Sequence, residues 1–396
     1  MLKRYWRGLP WDGLGWAGQK KILGSKGDDR LVASLRQWAA ESWCRSKPLL
    51  LRDTLWLADR LLWPLAALNQ SLAFAQAFKA VSARQLFRDC LMTGASPLEA
   101  HLWQRLYGTP HPLPARIAAL LMLRLGDAAG HRLLADKLAT ARHLANIGVV
   151  FPALRALCRH GETIKLSDIA MLDGELFVKP RHGSGGHGGF ALARVSGAWQ
   201  MNQRLVTDAA LLTRLTRLAQ QDDLLLQERL LAAPDLADLM VDGRAPVLRL
   251  VTARLPGAAP FLHSAMLSIG LPGRDPRHFL DGTIYAPIDP GTGQMAAGLV
   301  LGEPENRIFK LGWNAAPLAG RTLPGFGDAV AIALRAMAAL PPLALVHWDI
   351  IPTANGPVLL EGNSSGSWIL ACLPGLYGLD AGPLPPLLVH WMQAAS

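Results

Sequence analysis

The spacing of apolar residues divides the chain into a helical first third and a mixed remainder. Apolar positions recur every three or four residues over Leu31–Trp43, Arg52–Leu68 and Ala80–Met92, the period of a helix with one buried face. The break Thr93-Gly-Ala-Ser-Pro97 follows. Ser96, Pro97 and Glu99 then supply an N-cap, a first-turn proline and an N3 acid for a helix through Tyr107. Ala115–Leu125 and Leu134–Asn146 continue the helical pattern up to Gly148.

Beyond Gly148 the period shortens toward two. Strands are expected at Val149–Pro152, Leu176–Val178, Phe190–Val195, Leu224–Leu230, Pro246–Arg254, Phe261–Ile269, Gly282–Ile288, Ala344–Ile351 and Pro357–Asn363. Helices fall between them at Asp208–Gln220 and Asp328–Leu340. Within Pro246–Arg254 the alternation puts Leu248, Leu250 and Thr252 on one face and Arg249 on the other. Helices mixed with antiparallel hairpins make the fold class α+β, not doubly wound.

A chain of 396 residues with 51% hydrophobic content holds two or three domains. The longest apolar stretch, Leu61–Phe78, is interrupted by Pro64, Asn69, Gln70, Ser71 and Gln76, so it reads as a buried or interfacial helix, not a span. Met1–Arg7 is basic but no apolar run follows, which argues against a secretory signal. The four cysteines have no CxxC spacing and are expected as free thiols in a reducing cytoplasm. A net charge of +10 implies anionic partners. No basic run interleaved with aromatics and no nucleic-acid module occurs, so nucleic acid is not expected. The charge and the 13 tryptophans leave peripheral contact at the inner face of a membrane open, although most of those tryptophans read as packing.

Two stretches carry candidate chemistry. In the first, Leu176-Phe-Val-Lys179-Pro leads into Gly183-Ser184-Gly185-Gly186-His187-Gly188-Gly189, and Phe190 resumes a strand. A hairpin tip without side chains can lay its N–H groups on phosphate oxygens, with Lys179 as a cation beside them. It is neither a Walker loop nor a dinucleotide turn, since a strand and not a helix comes next. In the second, Asp349 lies on one strand of a hairpin, with Glu361 and Asn363 two residues apart on the other. Three oxygen donors at one place suit Mg2+, and Glu361 interrupts a run that otherwise reads as buried. His182, His187 and His347 lie near these stretches.

Asp-Lys137, Phe-Val-Lys179-Pro, the glycine loop, Leu-Leu-Gln227-Glu228-Arg-Leu230, Val-Leu-Arg249-Leu-Val-Thr, His-Trp-Asp349-Ile and Leu-Leu-Glu361-Gly-Asn363 follow one another in the order found in ATP-grasp enzymes. Their form resembles the sugar-transfer-associated branch, over roughly residues 90 to 370. The resemblance implies two α+β subdomains sandwiching ATP, 131–225 bearing the lid and 226–396 bearing the metal site and C-terminal helices. Residues 1–130, a helical N-terminal region by their apolar spacing, depart from the family, many of whose ligases carry an α/β domain there. It implies that Lys137 and Lys179 hold ATP phosphates under the loop Gly183–Gly189. Gln227, Glu228 and Leu230 would line the adenine pocket, Asp349, Glu361 and Asn363 would hold Mg2+, and Arg249 would face the γ-phosphate. The segment Arg277-His-Phe-Leu-Asp-Gly-Thr-Ile284 departs from the branch's usual pattern where the acceptor is expected.

The activity so implied is a cytoplasmic ATP- and Mg2+-dependent ligase joining a carboxylate to an amine through an acyl phosphate, with small-molecule or sugar-linked substrates from a surface polysaccharide. A kinase-like phosphotransferase and a non-catalytic ATP-binding component of a glycan assembly complex are the alternatives.

Overall fold

The computed structural model describes residues 64–76, 82–108, 115–172, 174–183, 188–275, 282–366, 370, 373 and 384–394. The helix expected at Leu31–Trp43, loop residues Ser184 to His187 and most of the segment 277–284 lie outside them. The chain divides into two compact units, one of residues 1–126 with 365–396 and the other of residues 127–364. Residues 365–396 thus group with the N-terminal helices, whereas the sequence reading attaches them to the last strands.

The first unit is helical where described: α1 (64–76), α2 (Ala83–Thr93), α3 (Pro97–Tyr107), α4 (Ala115–Arg124) and α10 (Leu384–Ala394). The expected start of α3 forms as a capping box. Glu99 N–H donates to Ser96 Oγ, and Ser96 N–H donates back to Glu99 Oε2 at 3.0 Å. Ala67, Leu86, Cys90 and Ala100 form a small core, and burial pushes the Cys90 thiol up to about 12, an unreactive packing group. Cys90 and Cys158 are both free. Among the described residues no helix is long and apolar enough to cross a membrane.

The second unit contains two antiparallel sheets. Strands β1 (Leu154–Cys158), β2 (Leu176–Pro180), β3 (Phe190–Val195), β4 (Ala198–Met201), β5 (Arg204–Val206) and β6 (Leu224–Glu228) form a six-stranded sheet in the order β1-β6-β2-β3-β4-β5. Its inward residues, among them Val178, Phe190, Leu192, Trp199 and Leu226, pack on Ile169 of α7 (Leu166–Ala170) and on Leu211, Leu215 and Leu218 of α8 (Asp208–Ala219). That helix is the one its amphipathic spacing predicts, with Thr207 as N-cap.

Seven strands make the other sheet: β7 (Val247–Ala253), β8 (Phe261–Gly270), β9 (Thr283–Ile288), β10 (Gly298–Val300), β11 (Glu303–Ile308), β12 (Leu345–Thr353) and β13 (Gly356–Asn363). Their order is β11-β10-β9-β8-β7-β12-β13. One face supplies Leu248, Leu250, Ala265, Leu267, Ile284, Ala286, Trp348 and Ile350 to a core closed by α9 (Phe326–Ala339) and by Leu134 and Leu144 of α5 (Ala128–Ala135) and α6 (Lys137–Ala145). Arg254, just past β7, donates to the carbonyls of Leu340, Pro341 and Leu343 and so closes the C-terminal end of α9.

Two expectations shift. Val149–Pro152 is not a strand: Val149 is buried in the large core, and Val150 accepts a single bond from Leu359 N–H at 2.9 Å. Pairing with β6 begins after Pro152, which has no N–H to donate. The sequence reading also expects no strand between Val195 and the helix at Asp208, yet the chain turns twice more there through two-residue links with positive φ at both positions, Ser196-Gly197 and Asn202-Gln203.

Gly362 sits directly opposite Trp348. A Cβ there would lie 2.5 Å from Trp348 Cζ3 and 3.0 Å from Leu134 Cδ2. Trp348 is fully buried, and its indole N–H is fixed on Thr252 Oγ1 at 2.8 Å, so the ring has little freedom to yield. Gly362→Ala is therefore expected to cost about 1–3 kcal/mol, the usual size of core overpacking. A thermal melt followed by circular dichroism checks this, and an unchanged midpoint would mean the ring moves aside.

Candidate active site

β12 lies between β7 and β13, and its register decides what meets. Asp349 is opposite Arg249 on one side and Glu361 on the other, and His347 is opposite Asn363. Neighbours directly across a sheet share a face, so these residues stand away from the core that takes Trp348 and Ile350. Arg249 forks onto Asp349, Nε to Oδ1 at 2.7 Å and the terminal nitrogen to Oδ2 at 2.8 Å. Burial works against the guanidinium charge, but Asp349 outweighs it and holds Arg249 above its ordinary value. Asn363 Nδ2 donates to Glu361 Oε1 at 3.3 Å. The three expected oxygen donors are thus brought together. Among the described residues no group of three or more His, Cys, Asp and Glu side chains could hold a metal; the set here is two carboxylates and an amide.

The cations come from a strand of the six-stranded sheet and from the start of α6. Lys179, near the end of β2, donates to the carbonyl of Leu360 on β13 at 3.3 Å. Burial drives its ammonium down to about 8; Lys137 adds to that, and Glu361 and Asp349 oppose it. Lys137 opens α6, where it donates to Gly183 O at 2.6 Å and lies 3.8 Å from Glu361 Oε2. Both expected lysines therefore converge on β13 beside Glu361. Gly183 and Gly188 flank the loop with φ of 91° and 83°. A Cβ on Gly188 would also strike Pro180 Cγ at 2.9 Å, so the end of the loop needs glycine twice over.

Gln227 and Glu228 lie at the other end of β6, opposite Phe177 and Leu176, while Lys179 pairs with Leu225. Two or three residues of strand, about 7–10 Å, separate the two positions. Both side chains are already engaged at the β1 junction. Gln227 Nε2 donates to Pro152 O at 3.3 Å, and Glu228 accepts from Ala153 N–H at 2.9 Å and from Arg155 at 3.3 Å. Leu230 follows in the partly buried link that leads toward the large sheet.

Sequence reasoning missed the clamp beneath Lys137. Asp136 caps α6 through the N–H groups of Leu138 and Ala139, and Arg181 bridges Asp136 to Asp223. Arg181 O also accepts from Lys137 N–H at 3.2 Å. The hydrogen bond from Arg181 holds the Asp136 carboxyl down at about 2. The available signal was an Asp directly before the helix, a cap pattern. His182 donates its backbone N–H to Asp222 Oδ2 and places Nδ1 2.9 Å from Oδ1. His347 is 1% exposed, and burial, with Arg249 and His263, holds it well below its ordinary value, so it is neutral. Tyr285, on the face of the large sheet that carries Arg249, is pushed up to about 12 by burial, against Arg249 and a bond to Thr283.

Residues 117–379 match the model of the sugar-transfer associated ATP-grasp family, two thirds of the chain. The chain belongs to this family. The α+β architecture is that of an ATP-grasp protein with a helical N-terminal region, as expected. No curated protein matches the ATP-grasp chain in sequence. Among solved structures it resembles D-alanine–D-alanine ligase from Bacillus anthracis complexed with ATP, at 12% identity and a TM-score of 0.40 over 68% of each chain. Others are VanG D-Ala:D-Ser ligase from Enterococcus faecalis (12%, 0.42, 68% of this chain and 64% of that one) and D-cycloserine synthetase DcsG (17%, 0.37, 67% and 71%).

The Asp136 carboxyl, depressed below its ordinary 3.8, adds stability that is present above that value and lost as pH falls toward about 2. The melting-temperature gap between wild type and Asp136→Asn should be full at about pH 5 and close toward pH 2. A gap that persists at the acid end would assign the cost to the cap geometry alone.

Proposed function

We propose that the chain is an ATP- and Mg2+-dependent ligase that joins a carboxylate to an amine on a small-molecule or sugar-linked precursor of a surface polysaccharide. The observation that carries this reading is the convergence of Lys137 and Lys179 on the strand that bears Glu361, opposite Asp349. Phosphoryl transfer asks a protein chiefly for positioned cations and metal ligands, and both are gathered here.

The donor set fits Mg2+, which takes hard oxygen ligands from one or two carboxylates and completes its shell with phosphate oxygens and water. Asp349, Glu361 and Asn363 would hold it. Bound there, it would supply positive charge to the transferring phosphoryl group. Lys137 and Lys179 would hold the phosphates beneath the loop that Gly183 and Gly188 flank, with Ser184, Gly185, Gly186 and His187 at its tip. Gln227 and Glu228 would offer backbone groups to the base, since their side chains are engaged elsewhere, and Leu230 an apolar contact. Arg249 would meet the γ-phosphate and then the acyl phosphate.

In this reaction a substrate carboxylate oxygen bonds to the γ-phosphorus and ADP leaves. The amine then bonds to the acyl carbon, phosphate leaves, and the amine loses a proton. A cytoplasmic reaction would have ATP at hand, and contact with the inner membrane face would suit a lipid-linked acceptor.

ATP turnover measured with Mg2+ against paired amino acids and sugar acids tests the reading. ADP and phosphate should appear only when carboxylate and amine are present together, and Glu361→Ala should lose at least about a hundredfold, the cost of a lost charge-stabilising group. A single phosphorylated product would identify a phosphotransferase instead. AMP as product would replace the acyl phosphate with an acyl adenylate, and no turnover with tight ATP binding would favour the non-catalytic component or a lipid-linked acceptor.

Lys179 gives a separate test. Only its protonated form attracts phosphate, so ADP affinity should be full below about pH 8 and weaken as pH rises through that value. Calorimetric titration of wild type and Lys179→Arg checks this, the arginine form being expected to lose the inflection.

A further inference from the structure

Each carboxylate proposed to take the metal already carries a cation of the chain. Arg249 engages both oxygens of Asp349, at 2.7 and 2.8 Å, in the planar fork that guanidinium and carboxylate favour. Lys137 Nζ lies 3.8 Å from Glu361 Oε2. Lys179 donates to the carbonyl of Leu360, the residue before Glu361. Three cations therefore surround two carboxylates, an excess of one positive charge. A divalent ion arriving alone would add two more and would compete with Arg249 for the same oxygens. A polyphosphate brings negative charge and acceptor oxygens, which can draw the guanidinium and the ammonium groups away from the acids.

We infer that Arg249 and Lys137 are internal counter-ions that close Asp349 and Glu361 to a free divalent cation, so that metal enters only together with a polyphosphate. This rests on the nucleotide and metal site proposed above, and it adds that the site's affinity for metal alone is suppressed until a polyphosphate arrives. It also gives Arg249 two partners in turn, first Asp349 and then phosphate. The coupling is reciprocal: whatever factor the nucleotide adds to metal affinity, the metal adds to nucleotide affinity.

The test uses the full chain and Mn2+ as probe, read by electron paramagnetic resonance with and without ADP and corrected for Mn2+ held by ADP in solution. Mn2+ alone should bind at least roughly tenfold more weakly than Mn2+ with ADP, within the usual range of coupling between sites. Arg249→Met and Lys137→Met should each strengthen binding of Mn2+ alone by roughly tenfold, by removing one competing charge. Arg249→Met leaves a partly buried Asp349 without its partner and can unfold the protein. In that case Lys137→Met, which leaves the Arg249 fork intact, decides, with circular dichroism confirming its fold.

Equal Mn2+ affinity with and without ADP in the wild type overturns the inference. So does an ADP effect in the wild type with no gain for Mn2+ alone in a folded variant; that outcome leaves the nucleotide and metal site standing. Absence of Mn2+ binding under every condition, with ADP still bound, overturns both the inference and the metal site.

Discussion

The fork between Arg249 and Asp349 depends on a register and in turn helps to hold it. β12 can place Asp349 on one face only by placing Trp348 and Ile350 on the other, because successive side chains on a strand alternate. Trp348 is locked in the core by Gly362 beneath its ring and by Thr252 on its indole N–H. A slip of one residue would turn Asp349 from Arg249 into the apolar core and turn the tryptophan out of it, two costs in the same direction. Packing on the apolar face thus fixes the polar face of β12, and a bulge in its pairing with β13, between Asp349 and Ile350, keeps Leu359 in the core while Glu361 turns to the polar face.

The second sheet joins this arrangement through a helix end. α6 starts at Asp136, and the Arg181 bridge to Asp136 and Asp223 ties that start to the end of β2. Lys179 and Lys137 therefore arrive from one rigid corner, a strand end and a helix start cross-linked by ion pairs. Lys137 also reaches Gly183, so the base of the glycine loop and the acids of β13 share one cation. The phosphate chemistry proposed above would take place where the two sheets meet.

Much of the large sheet was legible in the sequence because its strands have one apolar and one polar face. Alternation in β7 separates Leu248 and Leu250 from Arg249, and the two-residue spacing of Glu361 and Asn363 already places them side by side. The capping box at Ser96 and Glu99 was readable for a similar reason, since all its partners lie within one helical turn. The Arg181 clamp was not readable: its carboxylates come from the start of a helix and from the turn before β6, and no local pattern records that pairing. Nor could spacing show that Gln227 and Glu228 spend their side chains on the β1 junction. The hairpin through β4 and β5 escaped because Asn202-Gln203 lacks the Asn-Gly signature, although its backbone adopts the same left-handed turn.

Lys137 and Glu361 are roughly two hundred residues apart along the chain, and their meeting closes a loop of that length. Contacts this distant form late, since the chain entropy of closing the loop must be met before the contact contributes anything. During synthesis α6 and the first sheet leave the ribosome long before β13 exists, so Lys137 and Lys179 wait without their acidic partners. Nucleotide capture that needs both sheets is then a property of the finished chain alone. No folding intermediate that lacks β13 would possess it.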